Sequence, residues 1–351
     1  MDDVPLGLPA VAVNSDNPQS PKKIALGKRL FEDKRFSGDG KVSCATCHDP
    51  EDAFADEISI PEGMNKLKGT RNAPSIINAV YYEAQFWDGR RPSLEEQAKD
   101  PFVNHLEHGL TSHDQILEII RENSSYPAEF RSAFGMEPKD LTIDHVVKAV
   151  ASFERTIISG NSPFDLYLYG GNKGALTNSA IRGFEIFRGK GRCQECHRIG
   201  QEHAIFTDNQ FHNLGVGFKS IEPRVMQIAD AFRKGKQEGK DIDKSVLGDK
   251  EISELGRFVV TLRPEDLGGF RTPDLRNVAV TSPYMHDGSI RTLEGVVEFL
   301  SKGGESNPYM DKGIGPLNLS YQEQADLVAF LQGLTSPQFA EVRADKHPIK
   351  W

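Results

Sequence analysis

The sequence predicts a mainly α-helical chain built from two related domains. Three observations support this prediction: helical periodicity recurs along the chain, sustained strand alternation is scarce, and one block of residues occurs twice. With 351 residues, the chain is long enough for each of two domains to bury its own core.

Six segments place apolar residues at the spacing of an amphipathic helix. In the second of these segments, Ile116, Ile119 and Ile120 fall on one helical face. The predicted helices span residues 22–31, 115–122, 143–158, 179–187, 293–301 and 321–334. Residues 1–20 are rich in Pro, Asn and Ser instead, which is typical of an extended lead-in.

All four cysteines lie in two copies of one short motif. The copies are Cys44-Ala-Thr-Cys47-His48 and Cys193-Gln-Glu-Cys196-His197. C-x-x-C-H is the attachment signature of a c-type haem, because the two thiols add to the porphyrin and the adjacent imidazole reaches the iron. A zinc site, a redox dithiol and disulfides are the alternatives, but none of them needs a histidine after each second cysteine. The sequence therefore predicts two c-type cytochrome domains, each carrying one covalently bound haem.

An internal repeat relates the two halves. A shift of 199 residues gives seven identities in 27 positions, including Pro74 with Pro273 and Asn78 with Asn277. Each half then pairs one haem motif with one copy of this block. We divide the chain into an N-terminal lead-in (1–21), a first cytochrome domain (22–160), a second cytochrome domain (161–335) and a C-terminal tail (336–351).

The second half is longer than the first between its haem motif and the repeated block. Part of the excess, residues 232–251, is dense in Lys, Asp, Glu and Gly. A charge run of this kind predicts a solvated loop, with a docking element as the alternative.

Charge and hydropathy exclude two classes of function. The formal charge is −9 without a basic stripe, which argues against nucleic-acid binding. The mean hydropathy is −0.47 and no apolar run approaches 18 residues, so no membrane span is predicted. Covalent haem attachment is normally completed outside the bacterial cytoplasm, so we expect a periplasmic chain. The first residues lack a signal-peptide pattern, and we take the leader to have been removed.

Several further stretches occur in a characteristic order. They include Leu26-Gly27-Lys28-Arg29-Leu30-Phe31, Arg71-Asn72-Ala73-Pro74, Gln85-Phe86-Trp87-Asp88-Gly89-Arg90, Ser162-Pro163-Phe164-Asp165 and Pro283-Tyr284-Met285-His286-Asp287-Gly288. In these stretches and the haem motifs, the chain resembles the bacterial diheme cytochrome c peroxidases and the related MauG-type diheme enzymes. The resemblance runs from about Ile24 to Leu334.

The resemblance implies a peroxidatic haem in the first domain and an electron-transfer haem in the second. It makes His48 and His197 the proximal iron ligands. Glu107 matches the family's distal glutamate, which would take a proton from bound peroxide and return it to the leaving oxygen. Trp87 matches the tryptophan that lies between the haems.

Two smaller expectations concern the surroundings of these residues. Histidines on either side of Glu107, His105 and His108, are candidates for tuning its pKa. Asn72, Thr281 and Pro283 match the positions that hold a calcium ion between the domains, with one side chain and backbone carbonyls as ligands; oxygen ligands suit calcium.

One departure from the family pattern lies near the first haem. Peroxidases that require reductive activation carry a capping histidine before the Arg-Asn-x-Pro motif, and here Met64 takes that place. Either the haem rests with an open site or Met64 caps it through its thioether. We expect the open site, because a loop methionine is more often only a loop residue.

A second departure lies near the other haem. The family places a methionine or a tyrosine fourteen residues after His286 as the sixth ligand, and here that position is Leu300, which cannot bind iron. The iron is then five-coordinate, binds water, or takes another ligand. Candidates for such a ligand are His286, Met285, His212 and Met310.

Three functions are consistent with this sequence. The first is a peroxidase that reduces H2O2 to water with electrons from a small periplasmic donor, either a cytochrome c or a cupredoxin, without reductive activation. The second is a MauG-type oxidase that uses peroxide to modify a residue of a partner protein, and the third is a non-enzymatic electron carrier. Peroxide reduction is common to the first two, so we predict it. A homodimer is left open.

Overall fold

The structure is a computed structural model that describes residues 4–342. Residues 1–3 of the predicted lead-in and 343–351 of the predicted tail lie outside the described residues. The described chain is mainly helical, so the predicted fold class is confirmed in this respect. Between residues 4 and 342, no helix is long and apolar enough to cross a membrane.

The first half contains six helices among the described residues. They are α1 (Pro21–Glu32), α2 (Cys44–Cys47), α3 (Leu94–Val103), α4 (Asp114–Glu122), α5 (Tyr126–Phe134) and α6 (Ile143–Glu154). The three helices predicted here are confirmed. The last one ends four residues early, at Glu154, because the chain then turns to pair the Ile157 carbonyl with the Asn78 amide.

The second half contains eight helices and two short strands in the described range. The helices are α7 (Pro163–Leu168), α8 (Asn178–Arg188), α9 (Val225–Gln237), α10 (Ile242–Gly248), α11 (Lys250–Ser253), α12 (Phe258–Thr261), α13 (Leu293–Ser301) and α14 (Tyr321–Gln332). The strands β1 (Phe211–His212) and β2 (Phe270–Arg271) pair antiparallel. The predicted helices 179–187, 293–301 and 321–334 correspond to α8, α13 and α14.

One helix pair in each half crosses at a glycine. Helix α1 packs against α6 with Gly27 on the backbone of Ala149, and a Cβ on Gly27 would overlap the Ala149 carbonyl oxygen. Helix α8 packs against α14 in the same way, with Gly183 on the Asp326 carbonyl oxygen. Both helix pairs therefore approach closely enough to exclude any side chain at the crossing.

Three large hydrophobic clusters form most of the interior of the described chain. The first surrounds α1 and α6 and includes Phe31 and Phe153, and the second surrounds α8 and α14 and includes Phe187 and Phe330. In each cluster these two rings are in contact, with centroids 5.3 Å and 5.0 Å apart. The third cluster lies within residues 218–267.

The prediction of a solvated loop over residues 232–251 is wrong. Strands β1 and β2 close the base of an insertion, residues 213–269, in which helices α9 to α12 enclose the third cluster. The charged residues hide an amphipathic pattern, because Val225, Ile228, Ala229 and Phe232 follow helical spacing and are buried together. We call residues 213–269 the insertion below.

The insertion packs on the first half of the chain. Thr70 Oγ1 donates a hydrogen bond to the Val246 carbonyl, and Arg71 donates to the side chain and carbonyl of Ser253. Arg257 of the insertion donates in turn to the carbonyls of Asp88 and Gly89. These contacts join the insertion to the chain's own first half, and the alternative of a docking element stays a prediction.

The repeated block brings matched residues together where the halves meet. Asn78 and Asn277 both adopt left-handed backbone conformations, with φ of 61° and 60°. Their side chains accept hydrogen bonds from the amides of Ser159 and Ser336, and Ser159 Oγ donates to Ser336 Oγ at 2.6 Å. Residues that the shift of 199 aligns therefore have the same local geometry.

Candidate functional site

The first cysteine motif lies on the short helix α2. Ser43 caps this helix, Cys44 and Cys47 lie on it, and His48 ends it. Burial raises the pKa of both thiols, that of Cys47 to about 12, and lowers the pKa of His48 to about 4. Within the described chain, the buried His48 Nδ1 has no hydrogen-bond partner. The motif thus presents two neutral thiols and a neutral imidazole side by side.

The second motif has the same components on a 3₁₀ turn. Cys193 begins that turn, and burial raises its pKa to about 12. His197 Nδ1 donates to the Phe206 carbonyl at 2.8 Å. This hydrogen bond leaves Nε2 as the nitrogen with a free lone pair, which is the arrangement that a metal-binding imidazole needs.

Both sets of residues fit a covalently bound haem. The four cysteines form no disulfide with one another and are partly buried. Each pair of thiols is followed at once by a buried, neutral imidazole, and the His197 ring is held through Nδ1 so that its Nε2 is left for an iron. The donors are therefore those that a c-type haem requires.

Glu107 lies in a turn that faces the first motif. Its Oε2 atom is buried and has no hydrogen-bond partner among residues 4–342. Burial raises its pKa to about 8; Asp243 and Asp100 add to this effect, and Arg90 opposes it. The charge of Glu107 in turn raises the pKa of the Cys44 and Cys47 thiols, which shows that the carboxyl lies close to the predicted haem site.

The two flanking histidines do not tune Glu107. His105 is exposed. His108 is buried, Nδ1 donates to the Phe36 carbonyl at 2.9 Å, and burial lowers its pKa to about 4. His108 is thus neutral and directed into the core, so this expectation is corrected: the charges that act on Glu107 come from Asp243, Asp100 and Arg90.

Buried ion pairs connect the Glu107 site to the insertion. Arg71 binds Asp88 at 2.7 Å, and Arg90 binds both Asp88 and Asp243 at 3.2 Å and 2.5 Å. All four of these charged side chains are at most 8% exposed. Asp243 belongs to the segment predicted as a solvated loop, so sequence reasoning missed it. Its position within an amphipathic helical pattern was the only available signal.

Met64 supports the Glu107 turn from outside. Its amide donates to the Glu107 carbonyl at 2.7 Å. Its Sδ atom packs so closely on Gly38 and Gly109 that a Cβ on either glycine would collide with it. These contacts engage both the backbone and the thioether of Met64 in packing.

Trp87 connects the two halves through the backbone of one residue, Asn72. Trp87 Nε1 donates to the Asn72 carbonyl at 2.9 Å, and the Asn72 amide donates to the His286 carbonyl at 2.8 Å. The shift of 199 aligns Trp87 with His286, so the two aligned residues bind opposite sides of Asn72.

The Asn72 side chain uses its two amide hydrogens for the carbonyls of Ile58 and Ser59, both at 3.2 Å. Its Oδ1 is therefore the atom left to bind a cation. Thr281 is half-buried and Pro283 is buried in the turn before His286. A calcium ion held by Asn72, Thr281 and Pro283 stays a prediction.

The candidates for a sixth ligand in the second half have other partners. His286 Nε2 hydrogen-bonds Glu254 Oε2 at 2.9 Å, and its ring stacks on Phe270 with centroids 3.6 Å apart. His212 binds Asp208 and Asp311, and these contacts, led by that with Asp208, raise its pKa to about 11. Leu300 is half-buried on α13. Both histidine candidates are therefore engaged by carboxylates.

A cluster of Cys196, Asp208 and His212 has metal-ligand atoms within 4.8 Å of one another. Cys196 belongs to the second haem motif, and His212 is held by carboxylates on both ring nitrogens. We therefore assign this cluster to the surroundings of the second motif.

Comparisons with known proteins agree with this geometry. The sequence profile of the di-haem cytochrome c peroxidase family matches residues 21–173. The chain is similar to the cytochrome-c peroxidase IdrP1 of Pseudomonas sp. strain SCT, with 36% identity over 93% of this chain and 84% of the relative. It is also similar to the methylamine utilization protein MauG of Methylorubrum extorquens, with 35% identity over 91% of this chain and 79% of that protein.

A solved structure matches along the full length. It is the crystal structure of a MauG-like protein associated with microbial copper homeostasis, with a TM-score of 0.79, 31% identity, and coverage of 100% of this chain and 99% of the other. The similarity to relatives of both names extends over nearly the whole sequence. The chain therefore belongs to the di-haem cytochrome c peroxidase family, a family of oxidoreductases that act on peroxide and that includes the MauG proteins.

Proposed function

We propose that this chain is a periplasmic diheme c-type peroxidase. It reduces H2O2 to water with electrons from a small periplasmic donor, a cytochrome c or a cupredoxin. The O–O bond of one H2O2 is broken as the molecule receives two electrons from the donor and two protons, and two water molecules are released. A single observation carries this proposal: Glu107, a buried carboxyl with a pKa of about 8 and an unpartnered Oε2, faces the first haem motif.

The haems are assigned to the two motifs. Cys44, Cys47 and His48 hold the peroxidatic haem, which supplies a redox-active iron with a position open to peroxide when bound. The second haem is held by Cys193, Cys196 and His197. The buried, neutral imidazoles of His48 and His197 support these assignments, because only a neutral imidazole binds a metal.

Glu107 moves the proton of the substrate. A general base works best when its pKa lies near the operating pH, and a pKa of about 8 meets this requirement. The carboxylate takes the proton from one oxygen of H2O2, and the resulting carboxylic acid returns it to the leaving oxygen. The unpartnered Oε2 is the atom available for this exchange.

The first site is open at rest in this proposal. Met64 is engaged by the Glu107 carbonyl and by packing on Gly38 and Gly109, which favours a role in holding the turn over a role as a cap. The enzyme then reacts with peroxide without prior reduction. A haem held by Cys193, Cys196 and His197 would supply the electrons, and Trp87, whose indole binds the Asn72 carbonyl, is the side chain we assign to the path between the halves.

A calcium ion bound by Asn72, Thr281 and Pro283 would stabilise this junction. Asn72 lies between Trp87 and His286, so a cation on its Oδ1 would rigidify the residue whose carbonyl and amide bind these two partners. Removal of calcium with a chelator should then slow electron transfer between the haems more than it slows the first reaction with peroxide.

The decisive experiment mixes the fully ferric protein with H2O2 in a stopped-flow spectrometer. Wild type should react at once, and Glu107→Gln should react at least 10²-fold more slowly with both haem spectra unchanged, as removal of a general acid–base predicts. The matched control is Glu323→Gln, a carboxyl in the second half that pairs with Lys190 on the surface. Full activity in Glu107→Gln would refute the assignment, and no reaction before reduction would refute the open site.

The second candidate is a MauG-type oxidase that modifies a residue of a partner protein. The full-length similarity to a MauG-like protein and the 35% identity to MauG favour it. Steady-state assays distinguish the two, because a peroxidase turns over with a cytochrome c or a cupredoxin as its donor, and a MauG-type enzyme consumes peroxide only with its protein substrate. A non-enzymatic electron carrier would fail to react with peroxide in either assay.

A further inference from the structure

The insertion reaches the Glu107 turn through a buried carboxylate. Asp243 lies on α10 and is 6% exposed. Its Oδ2 accepts a hydrogen bond from Asn104 Nδ2 at 2.5 Å, and its Oδ1 accepts from Arg90 Nε at 3.0 Å. Each oxygen of this carboxylate therefore binds a residue of the first half that adjoins Glu107.

Asn104 organises the turn that carries Glu107. Its carbonyl accepts hydrogen bonds from the amides of Glu107 and Gly109, at 3.1 Å and 2.8 Å. Its side-chain Oδ1 accepts from the Leu106 amide at 3.0 Å. Three backbone amides of the turn thus depend on the orientation of Asn104, and Asp243 binds the remaining polar group of that side chain.

Arg90 is the cation that acts on Glu107, and acidic partners surround it. Besides its contact with Asp243, Arg90 Nη1 donates to both oxygens of Asp88 at 3.2 Å, and its guanidinium stacks on the Phe86 ring. Both Asp88 and Asp243 are buried, so water screens these contacts weakly. Arg90 is therefore occupied by two carboxylates other than Glu107.

The remaining groups that face Glu107 are also identified. Asp100 on α3 adds a second negative charge, and it is itself bound by Arg91 at 2.6 Å. Cys44 and Cys47 face Glu107 from α2 as neutral thiols, whose pKa is raised by burial. Removal of the Asp243 charge would thus leave Asp88 as the remaining carboxylate on Arg90 and make the positive charge of Arg90 more available to the Glu107 carboxyl.

We propose that Asp243 is a positioning residue for Glu107: it orients the 104–109 turn through Asn104 and binds Arg90 so that this cation does not pair with the Glu107 carboxyl. The catalytic consequence rests on the proposed function of Glu107 as the proton-transfer group. The insertion of the second half then completes the peroxide site of the first half, and the site is incomplete when the insertion is not docked.

The test uses Asp243→Asn in the holoprotein. Asparagine still accepts the hydrogen bond from Asn104 but carries no charge to hold Arg90. The pH at which Glu107 ionises should fall by about one unit or more, because a like charge is lost and an opposite charge is released. Infrared difference spectra against Glu107→Gln measure this midpoint from the carboxylic-acid band. The pH profile of the peroxide reaction should shift by the same amount.

The matched control is Thr70→Val, which removes another hydrogen bond to the insertion without changing any charge. Its midpoint should equal that of wild type. The proposal is overturned if Asp243→Asn has the same midpoint as wild type. It is also overturned if Thr70→Val shifts the midpoint as much as Asp243→Asn does. If Asp243→Asn does not fold with two haems, Arg90→Gln replaces it; its midpoint should rise, and an unchanged or lower midpoint overturns the proposal.

Failure of this proposal can be distinguished from failure of the proposed function. If Glu107→Gln is inactive and Asp243→Asn leaves the infrared midpoint unchanged, Glu107 transfers the proton but Asp243 does not position it. If Glu107→Gln keeps full activity while the infrared midpoint shifts in Asp243→Asn, the positioning role stands and the proposed role of Glu107 fails.

Discussion

The two halves of the molecule share a helical framework, and the first half adds Glu107, a carboxyl whose charge acts on both thiols of the first haem motif. The helix crossings at Gly27 and Gly183 exclude side chains in the same way. Each motif histidine is followed by a phenylalanine with positive φ, Phe54 at 53° and Phe206 at 52°. The Phe206 carbonyl binds Nδ1 of His197, whereas His48 Nδ1 has no hydrogen-bond partner among the described residues.

The difference between the halves comes from two places. The first half has Glu107 in a turn after α3, whereas the corresponding helix of the second half, α13, carries the apolar Leu300. The second half has the insertion, which packs on the first half and adds Asp243 to its site. In the proposed function, the framework would set where each haem binds, and Glu107 and Asp243, which lie outside it, would make the first site the one that transfers protons.

We expect the largest effect when the cysteines of one haem motif are removed at a time. This experiment tests whether the two motifs have different roles. Cys44→Ala with Cys47→Ala should abolish the first reaction with peroxide, because the iron beside Glu107 is no longer anchored. Cys193→Ala with Cys196→Ala should leave that first reaction intact and abolish steady-state turnover. Mass spectrometry of haem attachment and single-turnover stopped-flow absorbance measure the two effects. Equal loss of the first reaction in both variants would contradict the division of roles.

The second-largest effect is expected at the two helix crossings that the halves share. Gly27→Ala and Gly183→Ala should each lower the free energy of unfolding by about 1–3 kcal/mol, because the added methyl group collides with a backbone carbonyl at the helix crossing. Denaturant unfolding of the holoprotein measures the loss. The control is Gly315→Ala, since no atom lies within 4 Å of a Cβ added there. If only one of the two variants lowers the free energy of unfolding, the two halves do not depend equally on a glycine at the helix crossing.

Sequence patterns predicted the parts of this structure that depend on local chemistry. Six helices follow from apolar spacing, and the shift of 199 aligns Asn78 with Asn277, which share one backbone conformation. Helices α9 and α10 were missed because the density of charge in 232–251 outweighed the apolar spacing of Val225, Ile228 and Phe232.

The site was predictable only in part for a different reason. The haem motifs are contiguous in sequence, and Glu107 and Trp87 follow from the resemblance to a known family. The contact between Asp243 and Arg90 joins residues 153 positions apart, and no local pattern encodes it. The tuning of Glu107 was therefore assigned to its sequence neighbours His105 and His108, whereas the tertiary fold supplies the charges that act on it.

The pH dependence of the first reaction with peroxide tests whether Glu107 transfers the proton. Glu107 must be ionised to accept a proton from peroxide, and its pKa is raised to about 8, first by burial and then by Asp243. The rate of the first reaction should therefore rise about tenfold per pH unit below pH 8 and level off above it. Stopped-flow rates across this range measure the profile. A flat profile in wild type would contradict the assignment, whereas a flat profile is expected in Glu107→Gln.

The same raised pKa has a consequence for stability. The folded state binds the Glu107 proton more tightly than the unfolded state does. The contribution of this residue to the free energy of unfolding therefore falls as the pH rises from 4.5, the ordinary pKa of a glutamate, towards 8. Glu107→Gln removes this penalty. The variant should thus unfold at a temperature no lower than wild type at pH 8, which separates a loss of activity from a loss of fold.

The smallest effect on peroxide chemistry is expected from Leu300→Met. A thioether at this position of α13 would offer the second iron the sixth ligand that the present side chain cannot supply, and a new axial ligand changes the reduction potential. Resting-state EPR should then show one more six-coordinate haem, while the first reaction with peroxide changes by less than about threefold, because Glu107 and its charged neighbours are untouched. Leu300→Ile is the control, since it keeps the site apolar. A large change in the first reaction would show that the second haem governs peroxide binding as well as electron supply, and the separation of roles between the halves would then have to be given up.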